Sequence, residues 1–229
     1  MQVVISVGGS ILAPGNGPDQ IAAYADVVDR LADAGHSPGV VVGGGGVARE
    51  YIETGRELGA NEIELDAIGI AVTRVNARLL LAAMERGPGA PPASTYEVAQ
   101  RQLQRTDVAV MGGVSPGHTT DAVSAALAEY VGADLLVFAT SVEGVFDTDP
   151  NVDADATKYE ELRPSELVDV IVSLEMNAGS PAPVDLLAAK LIQRAGLHAI
   201  VMDGSDSERV LRAVLHDEHE GTEIVPIAE

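Results

Sequence analysis

Four consecutive glycines, Gly43 to Gly46, follow three valines and lead into a helix-forming stretch that carries Arg49. Backbone without side chains lets N–H groups close on an anion, and a helix N-terminus adds its own positive end. Phosphate binding is the first chemistry this run could perform. The same residues satisfy a relaxed dinucleotide fingerprint, Gly43-x-Gly45-x-x-Ala48, with Asp66 about 20 residues further on as its ribose ligand. A tight turn with no ligand is the third reading.

Similar turns recur along the chain. Gly8-Gly9-Ser10 ends one apolar run, Gly112-Gly113 opens VSPGHTTD, and Thr140 opens SVEGVFDTDP. All follow stretches that read as strands, and in an open parallel sheet the loops at the strands' carboxyl ends share one edge, where ligands bind. Several glycine loops on one edge exceed what a single pyrophosphate needs. They suit a nucleoside triphosphate together with a second phosphorylated ligand. The P-loop signature G-x-x-x-x-G-K-[ST] and the H-R-D of protein kinases are both absent.

Several side chains could act at such an edge. Arg49 could reach a phosphate, or pair with Glu53 at i,i+4 as a surface residue. Asp66 reads as a hydroxyl acceptor or as one acid on a solvated helix face. Asp121 suits a helix N-terminus as well as a site role. Asp147 and Asp149 could bind a metal, but acidic turn residues in so acidic a chain mostly meet solvent. HDEHEG, residues 216–221, has the composition of a metal cluster, yet it lies in a turn where a solvated loop is the simpler reading.

Composition narrows the classes. The chain has 229 residues, no cysteine, and 35 acidic against 14 basic residues, for a formal net charge of -21. Thiolate metal sites, disulfides and cysteine nucleophiles are excluded, and binding to nucleic-acid backbones or anionic membranes is disfavoured. Only Lys158 and Lys190 are lysines. An acidic, lysine-poor surface suits a very salty cytoplasm, where charges are screened within roughly 3 Å at 1 M salt. With no leader peptide and no long apolar run, a cytoplasmic location is the expectation.

The elements that must position these residues alternate. Strands are expected at 2–7, 40–42, 107–113, 134–140, 198–203 and 222–227. Helices are expected from Pro18 to Gly35, from the glycine run to about Gly59, and from an Asn61/Glu64 capping box to Gly87, with an apolar stripe at Ile68, Val72, Val75 and Leu79. Further helices are expected near 96–104, after VSPGHTTD, and at 164–172, 183–195 and 205–216; residues 141–157 read as a hairpin or excursion. Apolar strands alternating with helices predict a mostly parallel sheet covered on both faces.

The ordered set VGGS (7–10), VVGGGGVAREYI (41–52), LDAIGIAVTRVNA (65–77), VMGGVSPGHTTDAVSAALAE (110–129), TSVEGVFDTDP (140–150) and VDLLAAK (184–190) resembles the amino-acid kinase superfamily. Within it the sequence is similar to the archaeal uridylate kinases, GGVSPGHTTDA being the most telling segment. The resemblance implies a single α/β domain, an αβα sandwich with a mostly parallel sheet, whose N-terminal part mainly holds UMP and whose C-terminal part mainly holds ATP. It implies phosphoryl transfer from ATP to UMP, with Mg2+ held mainly through the ATP phosphates, in a homo-oligomer, a hexamer.

Residue by residue, the resemblance places Gly9 and Ser10 at the ATP phosphates, Gly44 toward UMP and Gly45 toward ATP, and Arg49 at a phosphate. Asp66 would accept from the UMP ribose. Val114, Ser115, Pro116, Gly117, His118, Thr119 and Thr120 would hold the uracil and the UMP phosphate, although His118 also reads as a plain loop residue. Thr140, Phe146 and Asp149 would border the adenine and ribose of ATP. Lys190 would be the catalytic cation at the transferred group. The chain departs from the family at Ser6, where many members carry a lysine, at Ser141, and at Phe146, where tyrosine is usual. A same-fold kinase of another small phosphate or carboxylate, a nucleotide- or oxyanion-binding storage or regulatory protein, and a nicotinamide-dependent dehydrogenase are the competing readings.

Overall fold

The computed structural model describes residues 1–12, 17–150, 152–153, 155–176 and 183–226. The strands are β1 (Gln2–Val7), β2 (Ser37–Val42), β3 (Ala109–Met111), β4 (Leu135–Thr140), β5 (Glu161–Leu162), β6 (Ala199–Asp203) and β7 (Thr222–Ile224). They form one sheet in the order β3-β2-β1-β4-β6-β7-β5. Every pairing is parallel except β6 with β7, which is antiparallel.

The helices are α1 (Gly9–Leu12), α2 (Pro18–Asp33), α3 (Gly45–Glu57), α4 (Glu62–Ala83), α5 (Tyr96–Thr106), α6 (Thr120–Val131), α7 (Pro164–Met176), α8 (Leu186–Ala195) and α9 (Ser207–His216). Side chains alternate across the central strand, so one residue set builds two cores. Val3, Ile5 and Val7 pack toward α2, α4 and α9. Val4 packs toward α5, α6, α7 and α8. Ser6 lies on that second face, only 1% exposed, the one polar residue of the strand's buried run.

The chain lays β1, β2 and β3 outward in one direction and then returns to place β4 on the other side of β1. That reversal is a topological switch point, the place where an open α/β sheet leaves a crevice beyond its strand ends. The backbone N–H of Gly8 bonds to the carbonyl of Ala139 at 3.0 Å and fixes the crevice floor.

Several expectations need adjustment. The capping box of α4 forms in full: Glu64 N–H donates to Asn61 at 3.1 Å and Asn61 N–H donates to Glu64 at 2.8 Å. The expected apolar stripe is not the buried face, however. Val75 and Leu79 are 56% and 39% exposed, while Leu65, Thr73, Asn76, Ala77 and Leu80 turn inward. The inward polar residues hold glycine loops, described below, so hydrophobicity alone selected the wrong side. The helix also ends at Ala83, short of Gly87.

β3 spans three residues because Asp107 is spent capping α5 in the left-handed conformation. β7 likewise stops at Ile224. β5, a two-residue strand, had no sequence counterpart; it survives by pairing with β7. The described residues of the 141–157 segment form an excursion, closed by an antiparallel bridge between Phe146 and Lys158. Among the described residues no helix is long and apolar enough to cross a membrane.

Candidate functional site

The two N-terminal glycine loops touch backbone to backbone. A Cβ placed on Gly9 would stand 1.9 Å from the nitrogen of Gly45, and one on Gly43 would stand 2.4 Å from the nitrogen of Gly9. No side chain larger than hydrogen fits either position. Gly45 also has φ 65°, in the left-handed region that glycine adopts without strain. The loop after β1 and the loop after β2 are thereby fused into one wall beside the switch point.

α4 supplies the fasteners. Asn76 donates to the carbonyls of Gly43 at 2.9 Å and Gly44 at 3.3 Å. Thr73 accepts from Gly113 N–H at 2.7 Å, and Arg74 donates to the Gly113 carbonyl at 3.1 Å. Asp66, earlier on the same helix, accepts from Gly117 N–H at 2.7 Å. One helix thus sets the spacing between the Gly43–Gly46 run and the loop of Val114, Ser115, Pro116, Gly117, His118, Thr119 and Thr120. Thr73, Arg74 and Asn76 went unnoticed as functional candidates in the sequence. A signal was available for two of them: Thr73 and Asn76 stand three apart and so share one face of the helix.

That loop is internally ordered. His118 N–H bonds to Ser115 at 3.3 Å and Gly117 takes φ 80°. His118 itself is exposed. Thr119 caps α6, accepting from Ala122 N–H at 3.1 Å, and its hydroxyl donates to Asp185, the residue that caps α8. Arg49 is exposed on α3, and Glu53 pairs with Arg56 at 3.1 Å instead. Among the described residues no carboxylate holds Arg49, so its guanidinium remains available one turn beyond the glycines.

Beyond the floor, Ser10 stands exposed on the first turn after Gly9. Thr140 folds its hydroxyl back onto Val142, accepting from its N–H at 3.1 Å, which shapes the turn after β4. Phe146 and Asp149 join Val142, Leu174 and Pro183 around a small pocket beside that turn. Tyr24 braces the neighbouring strand end, donating to the Gly204 carbonyl at 2.6 Å. Burial, reinforced by the charges of Asp203 and Asp206, raises that phenol well above its ordinary value.

Ser6 and Asp121 meet on the floor, the hydroxyl of Ser6 donating to the Asp121 carboxyl at 3.2 Å. Burial, and next the charge of Asp185, push the Asp121 carboxyl up to about 7; the bonds from Ser6 and the Asp185 backbone oppose the shift. A carboxyl held near neutrality under the crevice is a site feature, and it lay hidden in sequence because TTDA also reads as an ordinary helix start. Lys190 stands apart. It is exposed on α8, and its ammonium's one polar contact among the described residues is Gln193 at 3.4 Å.

The dinucleotide reading fails on architecture. Its fingerprint belongs to a βαβ unit of about 30 residues, whereas α3, α4 and α5 all intervene between β2 and β3. Asp66 sits on a helix and is bonded to the third glycine loop.

Comparison with known proteins agrees with the geometry. Residues 1–203 match the amino acid kinase family. A uridylate kinase of Halorubrum lacusprofundi is 60% identical over 226 residues, covering 99% of this chain and 94% of that protein. Another, from Halobacterium salinarum, is 61% identical with the same coverage. The crystal structure of uridylate kinase from Archaeoglobus fulgidus superposes with a TM-score of 0.87 at 43% identity, over 98% of this chain and 100% of that one. A glycine wall at a β1/β4 switch point, carried on a fold and sequence shared at this level, places the chain in the amino acid kinase family.

Proposed function

We propose that this chain transfers the γ-phosphoryl group of ATP to UMP, yielding UDP and ADP. The observation that carries the reading is the backbone contact between the Gly8–Gly9 and Gly43–Gly45 loops, which leaves one wall of side-chain-free backbone where two phosphate chains can meet. The uridylate kinases named above, at 43–61% identity, support the choice of acceptor.

In this reaction the nucleophile is already a phosphate oxygen, so no general base is required; alignment and charge neutralisation dominate the barrier. Gly9, Ser10 and Gly45 would receive the ATP phosphates, with Thr140, Phe146 and Asp149 around its nucleoside. Gly44, Asp66 and the Val114–Thr120 loop would receive UMP, which puts the acceptor on the N-terminal part of the chain. Arg49 would reach a phosphate. Lys190 is proposed as the cation at the transferred group; α8 is capped by Asp185, which is bonded to Thr119 of the UMP loop. Mg2+, when bound, would neutralise charge between phosphate oxygens. Oxygen ligands suit so hard an ion, and the ATP phosphates would supply most of them.

Tyr51, Leu58, Ile63, Val75 and Leu79 leave apolar surface on and beside α3 and α4, from 39% to 84% exposed. That unpaired face supports self-association. The acidic, lysine-poor coat supports a high-salt cytoplasm as its medium. A coupled assay in high salt with ATP and Mg2+ tests the reaction, comparing UMP, CMP, AMP and carbamate. Selective UDP formation is expected; equal turnover of carbamate, or nucleotide binding without turnover, would overturn the reading.

A further inference from the structure

The connection between α9 and β7 holds none of the residues assigned above to ATP or UMP, yet it gathers metal-ligating groups. Asp217 ends α9, His219 lies in the turn and Glu223 lies on β7; one ligand atom from each is within 4.8 Å of the other two. Around an ion such as Zn2+, with ligands at about 2.0–2.2 Å, tetrahedral neighbours stand roughly 3.4 Å apart, so modest side-chain rotation closes the set.

Two further observations separate this cluster from ordinary surface acids. Nδ1 of His219 is sealed from solvent and has no hydrogen-bond partner among the described residues. A buried imidazole nitrogen left unpaired is costly, and a bound ion is one of the few things that explains it. His198, the residue before β6, places Nε2 2.7 Å from one oxygen of Glu223. The histidine thus orients the carboxylate and leaves the second oxygen for an ion, the arrangement by which outer partners position metal ligands. Asp217 and His219 line a cleft of about 500 Å³ that shares no residue with the nucleotide groups above, and its lining carries more carboxylates than cations.

We infer that Asp217, His219 and Glu223 bind a first-row divalent transition ion, clamping the end of α9 to the antiparallel strand β7. The imidazole selects against Mg2+, which prefers oxygen and retains its waters, and favours Zn2+ or Co2+. Three protein ligands leave a fourth position for water. The role is a clamp, since the ion would join residues of α9, its following turn and β7 that are otherwise tied mainly through backbone.

The test uses the full chain, stripped with a chelator and titrated with Zn2+ by calorimetry at constant salt. One Zn2+ per chain is expected, with a higher melting temperature in its presence and a visible ligand-field spectrum when Co2+ is used. His219→Ala should weaken Zn2+ binding at least tenfold and abolish the melting shift while leaving the metal-free melting temperature unchanged. His198→Ala should weaken it about tenfold through the lost orientation of Glu223. If His219→Ala alters the metal-free protein, Asp217→Asn, at an exposed position, gives the same readout. No binding at micromolar Zn2+, binding unchanged in His219→Ala and Asp217→Asn, or displacement by equimolar Mg2+ would overturn the site. UDP formation is not the readout, so the outcome stands apart from that of the kinase assay.

Discussion

Replacing Asp121 with asparagine removes one titration and nearly nothing else, because the amide has the same shape and can still accept from Ser6. In the folded chain the carboxyl keeps its proton up to about pH 7, against an ordinary value of 3.8. Between those values the folded state binds more protons than the unfolded one. The contribution to stability is therefore fully present below about pH 4 and is lost as pH rises through about 7, the reverse of a salt-bridged carboxylate. A difference of about three pH units at ~1.4 kcal/mol each sets a ceiling of about 4 kcal/mol. Water reaching the crevice reduces this, and roughly 2 kcal/mol is the working expectation. Urea midpoints at pH 5 and pH 8, in one fixed salt concentration, give the measurement for both proteins. Every other titrating group is common to both proteins, so the difference between the two pH profiles isolates Asp121. Asp121→Asn should be the more stable protein at pH 8 and show a flatter profile. Parallel profiles would refute a neutral carboxyl beneath the crevice.

Gly9→Ala should lower turnover by about a hundredfold and stability by about 1–3 kcal/mol, since its Cβ would lie 1.9 Å from a backbone nitrogen that has nowhere to retreat; near-normal kcat would show that the two loops need not touch. Asp66→Asn should raise the KM for UMP about tenfold with kcat within about twofold, because a charged acceptor becomes a neutral one; unchanged UMP affinity would remove its proposed role. Lys190→Ala should cut kcat by about a hundredfold while UMP binding persists, and an unaltered single-turnover rate would return this lysine to the solvated helix face.

The parts of the fold most legible in sequence were those where one physical signal dominates. β1, β2, β4 and β6 are near-continuous apolar runs, and each was readable because a central strand is buried on both faces. The gathering of the loops on one edge followed from that. The antiparallel direction of β7 was not legible, since TEIVPI carries no mark of which neighbour it will pair with; nor was β5, whose two residues hold no period. On α4 two signals conflicted. The apolar stripe through Val75 and Leu79 pointed outward, while Thr73 and Asn76 were drawn in by glycine carbonyls and amides, contacts separated by tens of residues in the chain. Asp121 was hard for a related reason. Its environment is made by Ser6 and Asp185, and no local pattern announces such a meeting. The Gly8–Gly9, Gly43–Gly46 and Gly113–Gly117 loops are joined by backbone contact and by α4, whereas Lys190, named for the scarcity of lysine and for its family position, stands exposed on its helix.

The contact between Gly9 and Gly45 also has a genetic consequence. When a side chain is gained in a packed core, a neighbour can often be trimmed to make room, and a second mutation then rescues the first. Here both partners are already as small as a residue can be. A lesion at either position has no compensating substitution at the other, and an intragenic suppressor would have to shift a whole strand or helix to reopen the gap. The two codons are thus locked to each other's minimum, and random mutagenesis with selection for growth should recover true revertants at these positions far more often than second-site rescues.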